Sequence, residues 1–358
     1  MSAEAVLLVG GQGTRLRPLT LTTPKQMLPL AGHPLLTHQI TKLREAGISH
    51  VVMATSYRAE TFSRYYGDGT SLGVTITYVV EDEPLGTGGA IGNVSDRLES
   101  GPDEPIVILN GDNLSGHDLG AQLVMHRRTD ADVTLHLVEV EDARAFGCVP
   151  CDDEGRVQAF LEKMPDPVTS WVNAGCYVFR RSIIDTIPGG QPVSVERETF
   201  PGLLAAGGRV YAWRETAYWS DVGTPAAYVQ SSADMVRGRV EGRVMTTEGH
   251  DSVVADSATI AVDCTVDGGS SVGADVVAEA GSLIRGSVVM AGAHIGAGAV
   301  LENSAVGVGA RVGAGVVLAD VVVGDGADIG AGNELLCGAR VWPGTALAPT
   351  SIRFSSDV

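Results

Sequence analysis

The chain has 358 residues, of which 44% are apolar and 19% are charged, a composition typical of a globular protein with about two domains. Its 43 acidic and 25 basic residues give a formal net charge of −18. A nucleic-acid polymer or an anionic membrane is therefore an unexpected partner, because neither would meet a broad cationic surface. No run of 18 apolar residues predicts a membrane span, and the five scattered cysteines do not form a disulfide framework. We expect a cytoplasmic protein whose phosphate-bearing ligands are small.

Apolar runs in the first 235 residues predict strands, and apolar residues three and four positions apart predict helices. Strands are expected at 5–9, 51–54, 74–80, 106–109 and 133–138, and helices at 35–46 and 119–128. Strands that alternate with helices are typical of an α/β fold with a mostly parallel sheet.

The chain changes character between about residues 233 and 252. Beyond this point branched apolar residues recur mostly six apart, as from Ile295 to Leu301 and from Val312 to Leu318. Glycine follows several of them, as at Ile295, Val312 and Ile329. This period predicts a parallel β-helix, because a flexible linker would not keep apolar residues in register. We therefore expect a first domain over residues 1–235, a linker over 236–252 and a β-helix over 253–358.

A glycine-rich segment directly follows the first predicted strand. Residues 10–18 read GGQGTRLRP, and glycines at such a turn let backbone N–H groups approach an anion closely. Leu16 stands where the dinucleotide fingerprint needs its last glycine, and no Gly-Lys-Ser/Thr of a Walker loop follows. Arg15 and Arg17 add guanidinium groups that grip phosphate oxygens, so a phosphate-binding loop is expected.

Lysine is rare in this chain, which has 22 arginines and only Lys25, Lys42 and Lys163. Lys25 stands between two prolines in a short, stiff segment, which favours a positioned charge over a solvated surface lysine. Lys42 falls on the polar face of the helix predicted at 35–46, and we expect it on the surface.

Two acidic residues each end an apolar segment and precede a turn. Asp112 follows Asn110 and Gly111 at the end of a predicted strand, where ligand sites of open α/β sheets lie, and Asp221 occurs in YWSDVGTP. Together the two carboxylates suit a shared hard metal ion, although either one alone is an ordinary turn or helix-cap residue.

These motifs together resemble the sugar-1-phosphate nucleotidyltransferases. In chain order they are GGxGTRLxP, PKxMLP, LGTGG, NGD, FLEK, NAGCYVF and WxDVGTP, and they span residues 5–230. The stretch SVERETFP at 194–201 resembles the SIEKExFP stretch of the mannose-1-phosphate guanylyltransferases, whose members also carry a C-terminal left-handed β-helix. The resemblance implies a Rossmann-like nucleotidyltransferase domain with a mixed, mostly parallel sheet and flanking helices, followed by such a β-helix.

The resemblance also implies a Mg²⁺-dependent reaction of GTP with mannose 1-phosphate that yields GDP-mannose and diphosphate. It assigns Arg15 and Lys25 to the triphosphate, Lys163 to the sugar phosphate, and Asp112 and Asp221 to Mg²⁺. The residues implied in nucleotide binding are Gly10, Gly11, Gly13, Thr14, Glu81, Gly86, Thr87, Asn110 and Gly111. Those implied around the sugar are Gly147, Glu162, Asn173 and Gly175.

Glu81 is our candidate for reading the base. Related uridylyl- and thymidylyltransferases often have Gln before the LGT motif, whereas a carboxylate only accepts hydrogen bonds and matches the adjacent N1–H and N2–H donors of guanine. Glu83 competes for this role.

Three functions remain open: the guanylyltransferase, a UTP- or dTTP-dependent glucose-1-phosphate nucleotidyltransferase, and a non-catalytic relative that binds nucleotide-sugars. Cys148 and Cys151 form a CxxC pair without a second pair, so we expect neither a metal site nor redox chemistry there. We expect the β-helix to join subunits of a homo-oligomer, since a large exposed apolar surface on an acidic protein is usually an interface.

Overall fold

The computed structural model describes residues 3–240 and 250–354. Residues 241–249 of the predicted linker lie outside the described residues, and the proposed domain boundaries stay a prediction. Contacts divide the chain into two units, which we describe separately. The first comprises Met1–Gly11 and Gln39–Trp219, and the second comprises Gln12–His38 and Ser220–Val358.

Strands up to residue 221 include all the apolar runs from which strands were predicted. They are β1 (Glu4–Leu8), β2 (Pro29–Leu30), β3 (His33–Pro34), β4 (His50–Thr55), β5 (Thr75–Val80), β6 (Pro105–Asn110), β7 (Asn113–Ser115), β8 (Val133–Glu139), β9 (Gly147–Cys148), β10 (Leu161–Glu162), β11 (Trp171–Arg180), β12 (Val210–Arg214) and β13 (Trp219–Asp221). All five predicted strands are confirmed to within a residue or two at each end.

Helices connect many of these strands. They are α1 (Leu35–Glu45), α2 (Ala59–Tyr66), α3 (Gly86–Asn93), α4 (Leu119–Arg128), α5 (Arg181–Ile184), α6 (Phe200–Ala205) and α7 (Pro225–Val236). Both predicted helices, α1 and α4, are confirmed. Asp118 caps α4 by accepting a hydrogen bond from the Ala121 backbone N–H, which explains where that helix begins. Among the residues that the structure describes, no helix combines the length and the hydropathy that a membrane span requires.

Within residues 3–240, nine strands form one mixed sheet in the first unit, in the order β10-β9-β11-β6-β1-β4-β5, with β8 joining β11 to β12. Strands β5, β4, β1 and β6 run parallel, while β11 is antiparallel to β6, β8 and β9. Val6, Ile106, Ile108 and Val133 are fully buried in the core on this sheet. Burial of β1 from Glu4 to Leu7 explains its nearly unbroken apolar sequence, as expected for a parallel strand covered on both faces.

The second unit contains the antiparallel β2–β3 pair, helix α7 and a stack of short strands. The strands of this stack are β14 (Ser252–Val254), β15 (Thr259–Ile260), β16 (Thr265–Asp267), β17 (Ser270–Val272), β18 (Val277–Ala278), β19 (Leu283–Arg285), β20 (Val288–Val289), β21 (His294–Ile295), β22 (Val300–Glu302), β23 (Ala305–Val306), β24 (Arg311–Val312), β25 (Val317–Ala319), β26 (Val322–Val323), β27 (Asp328–Ile329), β28 (Glu334–Leu335), β29 (Arg340–Val341) and β30 (Ala346–Leu347). They form three parallel sheets, the architecture of the predicted left-handed β-helix.

The six-residue period corresponds to one side of each coil. Ile295, Leu301, Val306 and Val312 are fully buried in the apolar column that the coils enclose. A polar ladder runs beside the column: the hydroxyl oxygens of Ser270, Ser287 and Ser304 each accept a hydrogen bond from the backbone N–H of a residue 17 positions later. Apolar stacking and this ladder together hold successive coils in register.

Candidate active site

The first glycine-rich loop leaves β1 at Leu8. Gly10 lies against Ser56, whose hydroxyl donates to the Gly10 carbonyl at 2.8 Å. A Cβ at Gly10 would lie 2.9 Å from the Ser56 Oγ and 3.8 Å from Oε2 of Glu81, whereas a Cβ at Gly11 would meet open space. The structure therefore brings two predicted nucleotide-binding residues, Gly10 and Glu81, together.

Gly13 opens the short 3₁₀ turn Thr14–Leu16 in a left-handed conformation with a φ of 60°. A Cβ there would approach Cβ of Lys25 to 3.0 Å. This position needs glycine both for its positive φ and for the close approach of the lysine.

Two of the predicted catalytic cations converge on one of the predicted metal ligands. Nη2 of Arg15 lies 3.4 Å from Oδ2 of Asp221, and Nζ of Lys25 lies 3.7 Å from Oδ1 of the same carboxylate. Lys25 is 5% exposed, while the Arg15 side chain is 64% exposed. The positioned charge expected for Lys25 agrees with this burial, because a buried ammonium needs compensating partners.

Gly223 keeps space for the Arg15 guanidinium. A Cβ at this glycine would lie 2.5 Å from Nη2 of Arg15 and 2.9 Å from Oδ2 of Asp221. The glycine of the WxDVGTP motif therefore has a steric explanation.

Glu81 directly follows β5 and is 8% exposed. Its Oε2 accepts a hydrogen bond from the Leu85 backbone N–H at 3.4 Å, and burial raises the pKa of its carboxyl group. Glu83, the competing candidate, is exposed. A buried carboxylate beside the first glycine loop suits directional hydrogen bonding to a ligand better than an exposed carboxylate does.

The second glycine-rich turn packs against the segment that includes Val193. A Cβ at Gly86, whose φ is 68°, would lie 2.8 Å from the Val193 carbonyl oxygen, and that oxygen accepts from the N–H groups of Gly88 and Gly89. Thr87 donates to Glu196. The N–H groups of Gly88 and Gly89 therefore already have partners within the protein, and glycine at position 86 is needed for close packing.

Asn110, Gly111 and Asp112 follow the strand β6 as expected. The Gly111 N–H donates to the Leu8 carbonyl at 2.9 Å, and the Asn110 carbonyl accepts from Nε2 of Gln39 at 3.0 Å. These bonds fix the backbone just before Asp112, which is half-buried.

A bulge in β11 brings several amide side chains together. The register of β11 against β8 shifts between Asn173 and Tyr177, and Gly175 within it has a φ of 73°. A Cβ at Gly175 would lie 2.1 Å from Nδ2 of Asn113 and 2.7 Å from Nδ2 of Asn110. Only glycine fits there without displacing both amides.

The predicted sugar residues lie on the adjacent strands β9, β10 and β11. Glu162 pairs with Gly147 across β10 and β9, and a Cβ at Gly147 would lie 2.7 Å from Oε2 of Glu162. Nζ of Lys163 lies 3.6 Å from Oε1 of Glu162, and Nδ2 of Asn173 donates to the Tyr177 hydroxyl at 2.8 Å. The structure thus brings carboxylate, ammonium and amide groups to one region of the sheet.

Lys42 corrects one expectation: this lysine is not a solvated surface residue. Its ammonium donates to the Ser115 carbonyl at 2.8 Å and to Nδ1 of His117 at 2.9 Å, and burial lowers the pKa of Lys42 to about 8. The His117 ring stacks on His136 with centroids 3.8 Å apart. Helical periodicity identified the polar face, but the scarcity of lysine was the better signal.

The cysteines of the CxxC pair lie on and next to strand β9. Cys148 is buried, and burial raises the pKa of the Cys151 thiol to about 11. All five cysteines are free. Among the described residues, no three His, Cys, Asp or Glu side chains lie together as a metal-binding group.

Comparison with known families assigns both parts of the chain. Residues 4–238 match the nucleotidyl transferase family model, and residues 249–350 match that of the GMPPB C-terminal domain. The chain belongs to the nucleotidyl transferase family. Mannose-1-phosphate guanylyltransferase of Mycobacterium tuberculosis is 53% identical over 356 residues, which cover 99% of this chain and 98% of that protein. Mannose-1-phosphate guanylyltransferase 1 of Arabidopsis thaliana is 34% identical over 82% of each chain.

Solved structures resemble part of the chain. HddC from Yersinia pseudotuberculosis, 27% identical, matches with a TM-score of 0.56 over 65% of this chain and 99% of its own. The same protein in complex with GMP-PN, also 27% identical, matches with a TM-score of 0.55 and the same coverage of both chains.

Proposed function

We infer that this chain is a mannose-1-phosphate guanylyltransferase, which converts GTP and α-D-mannose 1-phosphate into GDP-mannose and diphosphate. The observation that carries this inference is the 53% identity to the mycobacterial enzyme, which extends through both the catalytic sheet and the β-helix. Two plant relatives, described as a mannose-1-phosphate guanylyltransferase and a probable one, support the same inference over 82% of the chain.

In this reaction an oxygen of the sugar phosphate attacks the α-phosphorus of GTP in line. The new bond joins that oxygen to phosphorus, and the bond between the α-phosphorus and the β-bridging oxygen breaks to release diphosphate. The attacking oxygen is already anionic near neutral pH, so the protein needs no general base. The barrier lies in charge repulsion and alignment, and positioning and cationic groups lower it.

We assign Arg15 and Lys25 to the triphosphate. Both cations lie within 4 Å of the Asp221 carboxylate, so two positive charges lie beside the carboxylate at which we also place Mg²⁺. A buried ammonium and an exposed guanidinium differ in role: the former is a fixed charge, whereas the latter can move onto phosphate oxygens.

We propose that Asp112 and Asp221 hold Mg²⁺. The donor set fits this ion, because Mg²⁺ is commonly held by one or two carboxylates while water and substrate phosphates complete its octahedron. A third protein carboxylate or imidazole is therefore not needed. When bound, the ion would neutralise phosphate charge during the reaction.

We assign the sugar phosphate to Lys163 and the mannose hydroxyls to Glu162 and Asn173. Gly147 and Gly175 leave the space beside these side chains, since a Cβ at either position would collide with them or with neighbouring amides. Glu162 accepts and Asn173 both donates and accepts, which matches hydroxyl groups that do the same.

We assign the guanine base to Glu81, whose buried carboxylate lies beside Gly10. Gly11, Gly13, Thr14, Gly86, Thr87, Asn110 and Gly111 complete the nucleotide site that we propose.

The decisive experiment measures diphosphate release by the purified chain with each of four nucleoside triphosphates and with mannose, glucose or galactose 1-phosphate. We expect GTP with mannose 1-phosphate to give the highest kcat/KM. Preference for UTP or dTTP with glucose 1-phosphate would establish the second function instead. Binding of a nucleotide-sugar without turnover of any pair would indicate the regulatory relative.

We further propose that the chain forms a homo-oligomer through its β-helix. Val277, Val308 and Trp342 are exposed apolar residues on this part of the chain, with 37%, 48% and 49% exposure. Light scattering of the full chain tests this proposal, and a monomer at micromolar concentration would contradict it.

A further inference from the structure

The β-helix contacts the backbone of the phosphate-binding loop. Arg340 lies on β29, and its Nη1 donates to the carbonyl oxygens of Arg15 and Arg17 at 2.9 and 2.8 Å. The two N–H bonds of one guanidinium nitrogen thus bridge two carbonyls. Leu16, between them, is fully buried.

A second contact lies a few residues further along the loop segment. The Thr22 hydroxyl donates to Oδ2 of Asp325 at 2.6 Å and also lies 3.2 Å from the Leu19 carbonyl oxygen. Oδ1 of Asp325 accepts from the Val308 backbone N–H, 17 residues earlier, at 2.9 Å. Asp325 is therefore held by its own β-helix and presents a fixed acceptor to Thr22.

Arg15 depends on this backbone for its direction. Its side chain is 64% exposed, so packing does not fix the guanidinium. Its loose contact with Asp221, at 3.4 Å, is the kind of exposed ion pair that contributes little by itself. The Arg15 backbone, which Arg340 bridges to that of Arg17, therefore sets the position from which the guanidinium can reach phosphate oxygens.

We propose that Arg340 is a positioning residue for the guanylyl-transfer reaction. Asp325 supports the same loop segment through its hydrogen bond with Thr22. The β-helix of the chain thereby orders the phosphate-binding loop and aims Arg15, in addition to any role in assembly. This inference rests on the proposed function for its kinetic test.

The test compares Arg340→Met, which keeps the apolar stem but removes both hydrogen bonds, with Arg311→Met in the full-length protein. Arg311 is an exposed arginine on β24, in a different sheet of the β-helix. For Arg340→Met we expect kcat/KM for GTP to fall about 5–20-fold while KM for mannose 1-phosphate and the thermal midpoint match those of Arg311→Met. Arg340→Lys should recover part of the loss.

Two further measurements distinguish a positioning role of Arg340 from a general effect on stability. One of them does not depend on the proposed function. Thr22→Val removes the second contact and should also lower kcat/KM for GTP, whereas Thr22→Ser should restore it. Amide hydrogen exchange of residues 13–22 should be faster in Arg340→Met than in Arg311→Met, and this readout does not require catalysis.

Unchanged kinetics and exchange in Arg340→Met would overturn the inference. The inference would also fail if kcat/KM fell equally for both substrates and the thermal midpoint fell as well. The role of Arg340 would then be structural. A wild-type chain that does not use GTP would contradict the proposed function, and the exchange measurement would still decide whether Arg340 orders the loop.

Discussion

The Thr87 hydroxyl donates a hydrogen bond to Oε2 of Glu196 at 2.9 Å and accepts one from the Val195 backbone N–H at 3.1 Å. Thr87 belongs to the LGTGG motif, and Glu196 belongs to the SVERETFP stretch at 194–201. Two motifs more than a hundred residues apart are therefore parts of one structure.

Replacing Thr87 by valine should destabilise this junction. The change keeps the volume of the side chain but removes a donor to a carboxylate and an acceptor for a backbone N–H, so the free energy of unfolding should fall by about 1–3 kcal/mol. Urea unfolding measures the difference, and Thr87→Ser, which keeps the hydroxyl, is the matched control. Equal stability of the valine and serine variants would contradict the hydrogen-bonding role.

Asp112→Asn and Asp221→Asn should each lower kcat by orders of magnitude while the circular dichroism spectrum stays native. Each substitution replaces an anionic oxygen ligand of the proposed Mg²⁺ site by a neutral amide. The measurement is diphosphate release over a range of Mg²⁺ concentrations. Near-normal turnover of either variant at saturating Mg²⁺ would refute its assignment as a metal ligand.

Glu81→Gln should weaken the use of GTP relative to UTP or dTTP, because a donor–acceptor amide would replace the two-acceptor carboxylate. The expected penalty is about 1–3 kcal/mol in the ratio of kcat/KM values. Glu83→Gln is the matched control, since Glu83 is exposed two residues away. A shift of the ratio in the control but not in Glu81→Gln would transfer the role to Glu83.

Acid should destabilise the folded chain through its buried histidines. Burial lowers the pKa of His126 to about 4 and of His136 to about 3, from the ordinary 6.5. Below pH 6.5 the unfolded chain therefore binds more protons than the folded chain, and stability is lost as the pH falls from about 6.5 towards 3. Urea unfolding at a series of pH values measures this decline.

His136→Phe should make the acid decline shallower. Within the described residues neither ring nitrogen of His136 has a hydrogen-bond partner, so a phenyl ring removes two unsatisfied polar atoms and keeps a ring to stack on His117. An acid decline as steep as that of the wild type would show that His136 does not titrate on unfolding.

Local sequence patterns predicted much of the fold and many members of the candidate site. The strand β6 and the motif that ends in Asp112 were predictable because a buried parallel strand is continuously apolar and its ligand-facing end is polar. The positioned charge of Lys25 was predicted from the rarity of lysine and from the stiff segment around it. The burial of Lys25 agrees with this prediction. Lys42 was assigned wrongly to the surface, because helical periodicity does not reveal that Ser115 and His117 meet its ammonium.

The classes of element, the β-helical repeat and the family were predictable without a structure, because they depend on periodicities and motifs that are local along the chain. Which distant groups meet was visible only in the folded chain. Arg340 and Arg15 are 325 residues apart, and no spacing rule connects a β-helix arginine to a carbonyl in a glycine-rich loop. Such pairings depend on how coils and loops pack in three dimensions, and a single chain carries no local signal for them.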